Sequence, residues 1–414
     1  MNSQSTIIPH ANMRYGMAYK ICVVTGTRAD YGPLRELLYR LNSNDAVHLD
    51  LLVTGSHLSE VFGNTQMEII NDGFTQYSQI PIPLEDDSKE GMAKATGVAI
   101  CRFSDYFSSN RPDIVVVLGD RYEILAAVIA ARMQGVPVAH ISGGDVTEGA
   151  IDDSIRHAIT KMSQIHFPGC EQSRKRIIQM GEQPDTVFNV GEPGVENCLK
   201  LKLLGRDILA KEISFDRVLE DYCIVTFHPV TMENNTGVTQ VKELIKAMNA
   251  FPKMNYIVTM ANADAGGRSI NDIWCEEGQK HSNWLVVTSL GVVRYLSAMK
   301  YSKAVIGNSS SGIVEAPSMR IPTVNIGDRQ KGRMLAESVI SCAPFADTIK
   351  SAIEQVLSKN FQERAKNVVS PFGDGTTSEQ IELHLLDYLR NDKLSVIRPF
   401  FDIHFDISEQ LKRI

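Results

Sequence analysis

KICVVTGTRADYGPLRELLYRL, residues 20–41, changes its hydrophobic period midway. KICVVTG (20–26) is a continuous apolar run ending in glycine, the pattern of a parallel strand buried on both faces. PLRELLYRL (33–41) then sets Leu34, Leu37, Leu38 and Leu41 on one face of a helix. A strand, a glycine turn and an amphipathic helix form half of a βαβ unit, and the same alternation recurs along the chain. VHLDLLVTG (47–55), DIVVVLGD (113–120), VPVAHI (136–141), QIHFPG (164–169) and TVFNVG (186–191) supply further strands of a first unit. After EPGVENCLKLKLLG (192–205), which suits a linker, the pattern restarts with YCIVTFHP (222–229). It continues through NYIVTMA (255–261), NWLVVTSL (283–290), KAVIGNSSS (303–311) and PTVNIG (322–327).

These runs predict an α/β protein of two Rossmann-like, doubly wound domains with a cleft between them. Residues 1–19 are read as a disordered extension, 20–197 as the first domain, 198–376 as the second, and 377–414 as a helix and aromatic tail docking on a neighbouring element. A chain of 414 residues is long enough for two cores. Its net charge of -7, without long like-charge runs, argues against a nucleic-acid or anionic-membrane partner. The seven cysteines are scattered and form no C-x-x-C pair, so neither a zinc site nor a disulfide framework is indicated. No apolar run reaches the roughly 18 residues of a membrane span, and the N-terminal stretch is a poor signal peptide, so a cytoplasmic location is expected.

Open parallel sheets bind ligands beyond their C-terminal strand ends, so the residues there bear on function. GTRADYG (26–32) places Arg28 and Asp30 in a turn before a helix expected at Pro33, an arrangement that suits a diphosphate or an ordinary βα turn. It contains no Gly-x-Gly-x-x-Gly, so a dinucleotide fingerprint is absent. Asp120 ends a strand as a helix cap or as a base. One strand on, HISGGDVTEGAIDDSIRH (140–157) carries Asp145, Glu148, Asp152 and Asp153, four carboxylates in nine residues. Such crowding can push one carboxyl toward neutrality and create an acid or base. Calcium is the competing explanation, but the spacing does not match an EF-hand loop. Asp152–Arg156 and Asp153–His157 are spaced for helical ion pairs. In the second unit His228 stands at a strand end, and Ser309, Ser310 and a helix opened by Ser311 suggest a phosphate cradle. Glu315 lies within reach of a ribose, and Arg329 and Arg333 follow the last strand.

The strings GTRADYG, VTGSHL, GNT, VVLGDRYE, HISGGDVTEGAIDDSIRHAITKMS, FHPVT, NADAG, IGNSSSG and NIGDRQKGR together resemble the hydrolysing UDP-N-acetylglucosamine 2-epimerases of sialic acid biosynthesis, from about Lys20 to about Gly375. The resemblance implies a glycosyltransferase-B-like fold and no metal or other cofactor. It also implies conversion of UDP-N-acetylglucosamine and water to N-acetylmannosamine and UDP, by elimination to a glycal and hydration. By it, Arg28 contacts the diphosphate, and Asp120 and Asp152 are catalytic carboxylates beside the sugar. His228 assists the departing oxygen, Asn262 and Arg329 help hold the nucleotide, Ser309 and Ser310 bind phosphate, and Glu315 binds the ribose. One position departs: where related enzymes carry a glutamate this chain has Ser142, which leaves Asp145 or Glu148 as the second base. Rivals are a related enzyme acting on UDP-2,4-diacetamido-2,4,6-trideoxyglucose, a non-hydrolysing epimerase, a glycosyltransferase of the same fold and a catalytically silent nucleotide-sugar sensor. A homodimer is expected.

Overall fold

The computed structural model describes residues 18–60, 64–86, 88–147, 151–229, 236–261, 267–395 and 397–403. The extension expected at 1–19 lies outside them up to residue 17. The chain forms two six-stranded parallel sheets with flanking helices. In the first, β1 (Tyr19–Thr25), β2 (Val47–Thr54), β3 (Ser78–Ile80), β4 (Ile114–Leu118), β5 (Val138–Ile141) and β6 (Ile165–Phe167) take the order β3-β2-β1-β4-β5-β6. In the second, β7 (Tyr222–Thr226), β8 (Asn255–Thr259), β9 (Trp284–Val287), β10 (Ala304–Gly307), β11 (Thr323–Ile326) and β12 (Val339–Cys342) take the order β12-β11-β10-β7-β8-β9. Each sheet therefore reverses direction once, between β1 and β4 and between β7 and β10. Those gaps are the points at which doubly wound sheets bind ligands.

Burial on both faces explains the apolar runs. Ile21 and Val23 join one core layer with Ile114 and Val116. Their neighbours Cys22 and Val24 join the opposite layer with Val115 and Val117. The second sheet divides in the same way, Cys223 and Val225 against Tyr222 and Ile224. Because successive side chains of a strand point to opposite faces, two covered faces demand hydrophobic residues at every position.

Four expectations are corrected. The first helix begins at Arg28, not Pro33, because Thr27 and Asp30 form a capping box that opens it five residues earlier. TVFNVG is not a strand; only Val187 bridges to His166. The short edge strands β3 and β12 had not been anticipated. The presumed linker contains the helix Pro193–Lys200, whose Asn197 Nδ2 donates to the Gly32 carbonyl at 2.9 Å.

The helix Thr377–Arg390 returns to the first domain, burying Ile381, Leu385 and Tyr388 in the layer that holds Leu34 and Leu38. Beyond it, the Phe401 N–H donates to the Gly181 carbonyl at 2.9 Å, and Arg398 pairs with Glu182. The C-terminal edges of the two sheets face one another. Arg333, beyond β11, lies 3.5 Å from Asp145, beyond β5, and a Cβ on Gly332 would stand 2.7 Å from Val146. No helix among the described residues is long and apolar enough to cross a membrane.

Candidate functional site

On the first sheet the site begins at β1. Asp30 accepts from the Gly26 and Thr27 N–H groups at 3.0 and 3.1 Å and from the Thr25 hydroxyl, so it shapes the turn instead of entering the cleft. Burial pushes its carboxyl up to about 6 against those bonds. Arg28 is the first residue of the helix, and its side chain is exposed.

Asp120 follows β4. Arg121 is the cap of the next helix and makes no side-chain cap bond, so Asp120 is not a cap. Its carboxylate pairs with Arg156, which is 2 % exposed and also donates to the Asp145 carbonyl at 3.0 Å and the Thr147 hydroxyl at 3.2 Å. Arg156 thus ties the end of β4 to the loop after β5. His140, inside β5, closes the same turn from below: Nε2 lies 2.8 Å from the Gly119 carbonyl and Nδ1 3.1 Å from the Thr160 hydroxyl. Burial holds this imidazole down at about 3, hence neutral, with Nε2–H donating to Gly119 and Nδ1 accepting from Thr160.

The acidic loop separates into distinct environments. Asp145 is buried, accepts from the Ser173 hydroxyl at 2.5 Å and faces Arg333 across the cleft. Asp153 accepts from the Thr147 N–H at 2.7 Å and lies 3.5 Å from His157, one of the two helical pairs expected. Asp152 stands exposed in the first turn of the helix Ile151–Met162. Glu148 lies outside the described residues, as does Asn262.

The second sheet contributes His228, two residues beyond β7. Asn308, just after β10, clamps it: Oδ1 accepts from the His228 N–H at 2.7 Å and Nδ2 donates to its carbonyl at 2.8 Å. The Asn308 carbonyl in turn accepts from Arg329 Nη1 at 3.1 Å and Gln330 Nε2 at 2.9 Å. Burial first, and then the Arg329 charge, bring the His228 imidazole down to about 3. It is a neutral ring whose Nδ1 has no hydrogen-bond partner among the described residues. Ser309 and Ser310 follow Asn308, but the helix expected at Ser311 is a 3-10 turn, Ser310–Gly312. Glu315 opens a four-residue helix further on. A Cβ on Gly194 would meet its carboxyl at 2.7 Å, and burial raises it.

The sequence reading assigned no role to two further residues. Asn308 sits within the quoted GNSSSG motif, but its function as a clamp depends on a histidine 80 residues away. Glu192 caps the helix Pro193–Lys200, and its Oε2 accepts from the Ser142 hydroxyl at 2.6 Å.

The structure therefore gathers Asp120, Asp145 and Glu192 at the first sheet's edge, and His228, Ser309, Ser310 and Arg329 at the second's. Comparison with known proteins gives this arrangement a lineage. The chain is 39% identical over 345 residues to the GDP/UDP-N,N'-diacetylbacillosamine 2-epimerase (hydrolyzing) of Campylobacter jejuni, covering 83% of this chain and 89% of that one. It is 37% identical over 388 residues to the polysialic acid biosynthesis protein P7 of Escherichia coli, covering 93% and 97%. The fold matches the crystal structure of the UDP-GlcNAc 2-epimerase from Neisseria meningitidis bound to UDP-GlcNAc, with a TM-score of 0.77 at 19% identity over 89% of this chain and 100% of that one. Residues 39–386 match the UDP-N-acetylglucosamine 2-epimerase family model, and the chain belongs to that family.

Proposed function

We propose that the protein is a hydrolysing 2-epimerase that converts UDP-N-acetylglucosamine and water to N-acetylmannosamine and UDP, supplying sialic acid biosynthesis. The observation that carries this reading is the division of the cleft, with a carboxylate locked to a buried arginine on one wall and a clamped neutral histidine among hydroxyls and arginines on the other. The names of the Campylobacter and Escherichia relatives agree respectively with hydrolysis and with a sialic acid route.

The C2 proton of the sugar is not acidic, so inversion is easiest by elimination of UDP across C1 and C2, followed by hydration from the other face. In this reading Asp120, aimed by Arg156, takes the C2 proton, and Asp152 lies beside the sugar. Asp145 and Glu148 complete the acidic wall. Arg28, Arg329, Ser309 and Ser310 hold the diphosphate, Asn262 helps hold the nucleotide, and Glu315 holds the ribose. His228, neutral, offers an N–H to the departing phosphate oxygen. The proposed working state is a cytoplasmic homodimer that needs no metal or other cofactor.

A second reading takes UDP-2,4-diacetamido-2,4,6-trideoxyglucose as the substrate, and the name of the Campylobacter relative favours it. Incubation with each UDP-sugar separates the two: the proposal expects free UDP and N-acetylmannosamine in equal amounts from UDP-N-acetylglucosamine. A kcat/KM at least tenfold higher for the diacetamido sugar moves the assignment to the second reading. Accumulation of UDP-N-acetylmannosamine makes the enzyme non-hydrolysing, and absence of UDP from either sugar removes the catalytic reading altogether.

A further inference from the structure

The Glu192 carboxyl sits against Ser142, the position at which this chain has no glutamate of its own. Ser142 stands directly after Ile141, which pairs with Leu118 at the end of β4, so the carboxyl that Ser142 holds hangs one strand from Asp120, a spacing of about 4.8 Å between neighbouring strands. Ser142 itself adopts φ +60, a left-handed conformation that a non-glycine residue adopts at some cost and that clusters at functional sites. On its other side the Glu192 carboxyl overlies Gly169, where a Cβ would come within 1.9 Å of Oε1; any larger residue would displace it. Its backbone is pinned as well, the N–H donating to the Phe372 carbonyl at 2.8 Å. A half-buried carboxyl is thus fixed by a hydroxyl, a glycine and a backbone bond at the edge where both sheets meet.

The groups facing it come from every wall. Burial acts first, then the Asp145 charge, and Glu315 adds to both; the Ser142 hydroxyl and Arg333 act in the opposite sense, and the Cys170 thiol lies nearby. Together they push the Glu192 carboxyl well above the usual carboxylate range, which favours its protonated form. Asp145, by contrast, is already held by Ser173 and faces Arg333.

We propose that Glu192 is the acid that delivers a proton to C2 in the second half of the reaction, a role that rests on the hydrolytic epimerisation proposed above. In the first half a base takes the C2 proton, the C2–H electron pair becomes the C1=C2 double bond, and the C1–O pair leaves with UDP. In the second half the C1=C2 pair takes the proton of Glu192 at C2, water adds its oxygen at C1, the proton released by that water recharges Glu192, and the base gives up the C2 proton to solvent.

The test is product analysis by NMR with UDP-N-acetylglucosamine. Glu192→Gln is expected to keep UDP release and UDP binding while free N-acetylmannosamine falls by about 10²- to 10⁴-fold and the glycal accumulates; Glu192→Asp restores part of the sugar. Ser142→Gly removes the hydroxyl at a φ that glycine adopts freely, so it keeps the fold. The lost bond favoured the charged carboxyl. The limb on which sugar formation declines with rising pH should therefore move to higher pH. The proposal is overturned if Glu192→Gln yields sugar at the wild-type rate, if UDP release falls in step with sugar, or if Ser142→Gly leaves that limb in place. Should Glu192→Gln not fold, the Ser142→Gly profile decides. Wild-type protein that releases no UDP would instead sink the hydrolytic reading itself.

Discussion

Arg156→Met removes the group that joins the loops after β4 and β5 while keeping most of the apolar stem. Arg156 is 2 % exposed, and its guanidinium holds the Asp120 carboxylate, the Asp145 carbonyl and the Thr147 hydroxyl. Stripping one partner from a fully buried ion pair costs about 3–5 kcal/mol. Asp120 keeps a 27% exposed side chain and can rehydrate, so the lower end applies to it. Losing the bond to the Asp145 carbonyl adds about 1 kcal/mol, and the total is about 4 kcal/mol. Urea unfolding of Arg156→Met, Asp120→Asn and the double variant measures the pair directly. The second substitution should cost less in the Arg156→Met background, with a coupling energy of about 1–3 kcal/mol. Turnover of Arg156→Met should fall by at least about 10²-fold, because an unrestrained base loses its orientation. Coupling near zero, or stability within about 0.5 kcal/mol of wild type, would refute the view that Arg156 organises this wall.

Two further outcomes are expected. Glu182 is nearly fully buried, yet hydrogen bonds from His166 and Lys161, aided by the Arg398 charge, outweigh burial and hold its carboxyl at about 2. A carboxyl depressed on folding stabilises the native state above its unfolded value of about 4.5 and loses that contribution as pH falls toward 2. Glu182→Gln should therefore lose on the order of 2–3 kcal/mol at pH 7, and its stability should change less than the wild type's between pH 5 and 2; parallel unfolding curves would contradict this. For the proposed nucleotide wall, calorimetry should find UDP binding weakened in both Arg329→Ala and Ser310→Ala, by about 1.5–3 kcal/mol for the arginine and less for the serine; unchanged affinity in both would mean that the diphosphate lies elsewhere.

The two-sheet architecture was legible because each central strand is covered on both faces, and Ile21 to Val24 and Cys223 to Val225 run without a polar residue to blur the pattern. The edges were not legible. β3 is SQI and β12 is VISC, three and four residues with a polar residue inside, and β12 is only partly buried. An edge strand has one partner and looser burial, so its sequence carries little of the signal that marks a central one. TVFNVG misled for the converse reason. Val187 and Val190 are buried, but against helices and a single bridge, and burial without a ladder imitates a strand.

The site divides in the same manner. Turn-borne residues such as Asp120, His228 and Ser309 were visible because a strand end fixes their place within a few residues. Glu192 and Asn308 matter through partners 50 and 80 residues away, and no local pattern encodes such a reach. Once those partners are known, the charge layout gives both sheets a part in the proposed reaction. The first edge holds Asp120 against Arg156, with Asp145 and Glu192 alongside; the second supplies Arg333 facing Asp145, and Arg329 beside a histidine kept neutral by burial. A departing UDP gains negative charge and is best received by the second wall, whereas a C–H bond that must lose and regain a proton needs carboxyls of unlike state on the first. Arg156 aims the Asp120 carboxylate, while burial and the neighbouring Asp145 charge favour the protonated form of Glu192. In the proposed mechanism neither wall alone could both break the C1–O bond and reset C2.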